Sequence, residues 1–394
     1  MRSVTLLDDH GGLRAYELGD VEPLSRPAEH FRSRIAFAAA HVVPLAWADN
    51  VPGAPAEIDW DATLGFRRHL WSWGLGVADA MDTAQRNMGL DPAATRELIK
   101  HSAAEARAES GFDDLADALV VGVNTDHLDD PVISLDQVAA GYLEQLEFAQ
   151  EQGAGVVLMA SRHLARAARS ADDYRRIYDR VLAEADGPVI LHWLGEAFDP
   201  LLAGYFGSSD SAEAGKTVLE IINDHAPRIR GIKLSLLDAE AEMSLRAELP
   251  AGVRLFTGDD FNYARLIEGD GERHSDALLG AFAAVGPNAS AAIQALDADD
   301  HDRYHAILDP TEALSRQIFA APTFYYKTGI AFLSWLNGHQ PSPAMVAGLH
   351  SARSLPHLSE IVRLAVDANV LTDPELAVAR WHGFLALNGI ESLS

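Results

Sequence analysis

The chain has 394 residues, 48% of them hydrophobic and 23% charged, enough for a sizeable core and for an α/β barrel with additions in one globule. Its formal net charge of −27 argues against nucleic acid and anionic membrane as partners, since both repel so acidic a surface. The absence of cysteine excludes disulfides, thiolate zinc sites and a cysteine nucleophile, and fits a cytoplasmic protein.

The first residues lack the apolar core of a signal peptide and no later run is long enough to span a bilayer, so a soluble protein is expected. "VTLL", a polar turn "DDHGG" and "LRAYEL" (4–18) predict a hairpin. After the connector "EPLSRPAEH" short apolar runs alternate with helical periodicity, the pattern of βα units on a parallel sheet. The expected strands are "RIAFAAAHVV", "GVADAMD", "DALVVGVN", "AGVVLMA", "GPVILHW", "RGIKLSL", "VRLFTG" and, least clearly marked, "SDALLGAF" (275–282). The helices between them include 59–74, 91–108, 135–153 and 170–186.

Eight such strands predict a closed (β/α)8 TIM barrel. A Gly- and Ser-rich loop, "GYFGSSDSAEAG" (204–215), is expected near its mouth. From Asp299 onward the strand signals stop, and five segments, "MVAGLHSARS" (345–354) among them, read as helices. The expected organisation is a hairpin over 1–30, the barrel over 31–298 and a C-terminal helical extension over 299–394.

In such a barrel chemistry gathers at the C-terminal ends of the strands. That rule selects His41, Asp82, Thr83, Asn124, Ser161, His163, His192, Glu196, Lys233, Ser235, Asp259 and Asp260. Each has a bland reading: Asp82 as a helix cap, His192 as a hydrogen-bonded structural histidine. Lys233 is the sharpest. In "RIRGIKLSLLD" it sits between Ile232 and Leu234 in an apolar run, a costly place for an unpaired ammonium. It is either half of a buried ion pair or an amine whose pKa is lowered so that it can act as a nucleophile.

"RGIKLS" followed by "VRLFTGDDFNYARLI" resembles the sixth and seventh strands of the dihydrodipicolinate synthase and N-acetylneuraminate lyase superfamily. "GPVILHWLG" stands where that family has its fifth strand, and "FAAPTFYYKTGIAFLSWLNG" is similar to its helical region after the barrel. The resemblance implies that Lys233 forms a Schiff base with a carbonyl substrate, making the protein a class I aldolase or lyase that needs no cofactor or metal. It implies that His192 replaces the family's fifth-strand tyrosine as proton carrier, that Thr83 matches a carboxylate-binding threonine and that Asp259 and Asp260 accept hydrogen bonds from substrate hydroxyls; with Asp82, Asn124, Ser161 and Ser235 from the other strand ends they are the expected substrate-binding residues. The chain departs from the family at "MDTAQRNMG", where a Thr-Thr carboxylate-binding motif is replaced, and at "SRHL", where a second tyrosine is missing. A small keto sugar or keto acid is therefore the expected substrate and dihydrodipicolinate synthesis is not. A homo-oligomer is expected on the same resemblance. The alternative is a divalent-metal sugar isomerase or aldolase on the same barrel, drawing ligands from His41, Asp82, His192, Glu196 or Asp259; a non-catalytic ligand sensor is a third reading.

Overall fold

A computed structural model describes residues 3–393. Strands β1 (Ser3–Leu7) and β2 (Leu13–Glu17) form the expected antiparallel hairpin. Eight further strands follow: β3 (Ala36–Ala39), β4 (Gly76–Asp79), β5 (Leu119–Val123), β6 (Gly155–Leu158), β7 (Val189–Leu194), β8 (Ile229–Ser235), β9 (Arg254–Thr257) and β10 (Asp276–Leu279). All run parallel, and β10 pairs with β3, so the sheet closes into the predicted barrel.

The strands read as continuous apolar runs because both faces are covered, by helices outside and by packed side chains within. Phe37, Ala78, Val120, Val157, Ile190, Phe256 and Leu278 form the inner cluster. Cα partners in a sheet project to the same face, so register carries this inner face upward. Lys233 is the partner of both Phe256 and His192, which places all three side chains inside the barrel.

One buried ion pair fixes the first βα unit. Arg67, on the helix Trp60–Ser72, meets Asp79 at the end of β4 through two bonds of 2.8 and 2.9 Å. Its remaining nitrogen donates to the carbonyls of His41 and Thr63, each at 2.8 Å, and Ser102 donates to the same carboxylate at 2.5 Å. Both partners are fully buried. A pair satisfied on every side carries its desolvation cost, whereas half of one does not.

The structure corrects the sequence reading at three places. The eighth strand stops at Leu279, and Ala281 and Phe282 belong to the helix Ala281–Asp297. That helix shows no polar face to read, because nearly all its residues are buried between the barrel and the helix His301–Ile318. Half of the Gly- and Ser-rich loop is helix: Asp210 accepts bonds from the amides of Ala212 and Glu213 and starts Ser211–His225. "MVAGLHSARS" is not an α-helix but a 3₁₀ segment, Val346–Ser351, with Ala347 and Gly348 at φ of 57° and 72°. The hairpin docks on the C-terminal helices: Thr5 receives Trp381 Nε1 at 2.7 Å and donates to His382 Nε2 at 3.0 Å, and Leu7 donates to Ser359 Oγ at 2.7 Å.

Replacing Asp79 with alanine strands the Arg67 guanidinium in the core. Thermal or urea unfolding of Asp79→Ala should show a loss of about 3–5 kcal/mol, while Asp79→Ala with Arg67→Met together should recover a substantial part of it.

Candidate active site

Lys233 is 8% exposed and, among the described residues, has neither a hydrogen bond nor an ion-pair partner. The structural ion pair is therefore not what holds it. Burial pushes its pKa down, opposed by Asp260 and then Asp82. Those two carboxylates come from the ends of different barrel strands. Asp260, just beyond β9, accepts the amide of Ala281 at 2.8 Å, and burial raises its pKa to about 7. Asp82 lies in a short 3₁₀ turn (Asp82–Ala84) beyond β4 and its side chain caps nothing. It stays partly exposed, yet desolvation raises its pKa against the pull of Lys327 and Lys233.

The C-terminal region reaches the same end of the barrel. The helix Tyr326–Leu336 is buried along its whole length, and its first residues enter the barrel mouth. The Tyr326 hydroxyl bonds Thr83 Oγ1 at 2.8 Å. Burial raises its pKa well above the ordinary value, reinforced by Asp82 and Asp260. Lys327 lies 4.4 Å from the centre of the Tyr326 ring and donates to the Phe324 carbonyl at 3.1 Å. Asp199, paired with Arg162 at 2.6 Å, faces it from the loop after β7.

The other residues selected from the sequence divide by geometry. His192 is fully buried beside Lys233, with Nε2 3.2 Å from Ser235 Oγ and Nδ1 buried without a partner. Burial, then Lys233, pushes its pKa well below the ordinary value, so it is neutral beside the amine. Asn124 and Ser161 serve the rim itself: Asn124 accepts the Thr125 amide at 2.7 Å, and Ser161 caps the helix Arg162–Ala167 and meets Thr125 Oγ1 at 2.6 Å. With His163 and Arg166, Asn124 lines a separate cavity of about 240 Å³ at the rim. Asp259, expected in the pocket, spends both carboxylate oxygens on Phe261 and Asn262 of its own loop. His41 is packed against Phe66 and bonded to Gln340 at 2.7 Å, and burial lowers its pKa to about 4. Glu196 is exposed. Among the described residues no three His, Asp or Glu side chains are grouped to hold a metal ion.

Sequence reasoning missed Tyr326, Lys327, Asp199 and Arg162. A signal for Lys327 was present: like Lys233 it is a lone charge in an apolar stretch, "YYKTGIAFLSWL". Nothing in the sequence indicated that this stretch lies beside the segments that follow β4, β7 and β9.

Fold and site together define a (β/α)8 barrel with an unpaired lysine on the sixth barrel strand and a C-terminal helix bonded to the strand ends. The chain belongs to the family described as "Protein of unknown function (DUF993)", whose profile matches residues 4–390. No curated protein matches it. Among solved structures it is similar to a putative dihydrodipicolinate synthase family protein from Coccidioides immitis, at 15% identity over 92% of this chain and 97% of that one, with a TM-score of 0.55. It is also similar to dihydrodipicolinate synthase from Thermotoga maritima (12% identity, 86% and 100% covered, TM-score 0.63) and from Aquifex aeolicus (12%, 86% and 99%, TM-score 0.62). The expected likeness to this superfamily thus holds for the fold. No helix among the described residues is long and apolar enough to cross a membrane.

Gly258 sets the space around Lys233. A Cβ there would run into Ser235 Oγ and stand 2.9 Å from Lys233 Cε and 2.8 Å from the Leu234 carbonyl. Because one of these neighbours is backbone, β8 itself must shift. Gly258→Ala should lose about 1–3 kcal/mol of stability by overpacking and reduce labelling of Lys233 by amine reagents, read by peptide mass mapping.

Proposed function

We propose that this protein is a class I aldolase or lyase, in which the Lys233 amine attacks the carbonyl of a keto sugar or keto acid and the resulting iminium drives cleavage or formation of the adjacent carbon–carbon bond. The observation that carries this reading is the unpaired burial of Lys233. An ammonium in a dry interior costs several kcal/mol unless it is compensated, and here the compensating carboxylates stay out of ion-pairing range. Such a lysine releases its proton readily and becomes a nucleophile.

The surroundings suit the same chemistry. Asp82, Asp260 and the Tyr326 hydroxyl surround the amine with groups that hydrogen-bond hydroxyls and carry protons. The protonated imine is itself the electron sink, so the reaction as proposed uses no cofactor and no metal. The substrate class points to carbohydrate metabolism, and a homo-oligomer remains the expectation from the superfamily likeness.

Borohydride reduction in the presence of keto sugars and keto acids should add the mass of one reduced substrate to the intact chain. Lys233→Ala should abolish the adduct while circular dichroism and melting stay near wild type. Lys233→Arg should be equally inert, because a guanidinium keeps its proton. Adduct formation that survives Lys233→Ala would refute the assignment. His192→Ala should retain the adduct, since imine formation needs only the Lys233 amine, while turnover should fall by about 10²–10⁴-fold if the imidazole carries protons.

A further inference from the structure

Lysine is scarce in this chain, with four against 27 arginines. Lys100 and Lys216 lie on the surface, paired with Glu97 and Glu213 three residues earlier at 2.7 and 2.6 Å. The other two, Lys233 and Lys327, are both buried, both without an ion-pair partner among the described residues, and both close enough to act on the same carboxylate, Asp82. Among the described residues the other buried lysine or arginine side chains are paired arginines, Arg67, Arg86 and Arg246. Arginine provides charge but not deprotonation, because its guanidinium stays protonated in proteins. A lysine at position 327 therefore marks a place where loss of the proton matters.

Its setting supports that. One ammonium proton is spent on the Phe324 carbonyl, and no other hydrogen bond holds the amine. Asp82 from the loop after β4 and Asp199 from the loop after β7 favour the charged form, while Arg162 from the helix after β6 opposes it. On its own helix, Tyr326 presents its ring face. Burial outweighs these and brings the amine to a pKa of about 8. The Tyr326–Thr83 bond anchors this end of the helix beside Asp82.

We propose that Lys327 is the proton-transferring amine of the site, resting on the imine chemistry assigned to Lys233: it removes and returns the proton on the substrate carbon next to the iminium carbon. The C–H electron pair becomes the C=C bond of an enamine, the iminium π pair returns to the Lys233 nitrogen, and the proton rests on Lys327 as an ammonium facing Asp82. The reverse step restores the iminium, and no oxidant or reductant takes part.

Two readouts separate the two lysines. Dihydroxyacetone and pyruvate serve as probes; borohydride adducts report the imine, and loss of the probe's C–H signal in deuterated buffer, by proton NMR, reports proton transfer. Exchange is expressed per mole of adduct, so that titration of Lys233 cancels. The wild type should form an adduct with at least one probe, and its exchange should rise with pH through about 8, because only the neutral amine accepts a proton. Lys327→Arg and Lys327→Met should both keep the adduct and lose exchange by about 10²–10⁴-fold. The proposal is overturned if exchange persists in both variants, if arginine restores what methionine loses, or if the wild type forms an adduct without exchanging. Should neither variant fold, the wild-type profile decides: a rise supports the assignment and a flat or falling profile overturns it. A wild type that forms no adduct with either probe removes the imine reading, and this proposal with it.

Discussion

The pairing of β10 with β3 is the constraint on which this molecule depends. Once the sheet closes, every barrel strand has a fixed inner face, and the side chains of that face must fill the interior or project from its mouth. The lower part is filled by Phe37, Val120, Val157, Ile190, Phe256 and their neighbours. Lys233 follows on the same face, where main-chain bonding on both flanks leaves its strand no freedom to turn the amine outward.

Closure explains where charge collects but not how it is tuned. The tuning comes from desolvation. Lys233, Lys327, Asp82 and Asp260 all shift toward their neutral forms because each is buried more deeply than its opposite charge compensates. Desolvation thus brings each group closer to a change of protonation than its exposed counterpart, which a surface ion pair does not do. Contrast the Arg67–Asp79 pair, where direct bonds satisfy both charges and the arrangement serves to hold a helix against a strand.

The C-terminal helices have two roles. They bind the N-terminal hairpin through Trp381, His382 and Ser359, which joins the two ends of the chain on one side of the barrel. They also carry Tyr326 and Lys327 to the mouth. The added region is therefore part of the pocket as well as packing.

Much of the fold was legible because barrel strands and amphipathic helices have distinct periods. The elements misread were those that lack a period: the uniformly buried helix Ala281–Asp297, the Asp210-capped helix hidden in a Ser-rich stretch, and the 3₁₀ segment at Val346. For the site, the sequence by itself determined Lys233, because a charge between Ile232 and Leu234 conflicts with burial wherever the strand lies. It also placed Asp82 and Asp260 at strand ends. It could not distinguish Asp260 from Asp259, since one residue of difference turns a carboxylate from the pocket to its own loop. Nor could it bring residue 327 to residue 82. That juxtaposition depends on how a buried helix docks over the barrel, which packing in three dimensions decides and local pattern does not record.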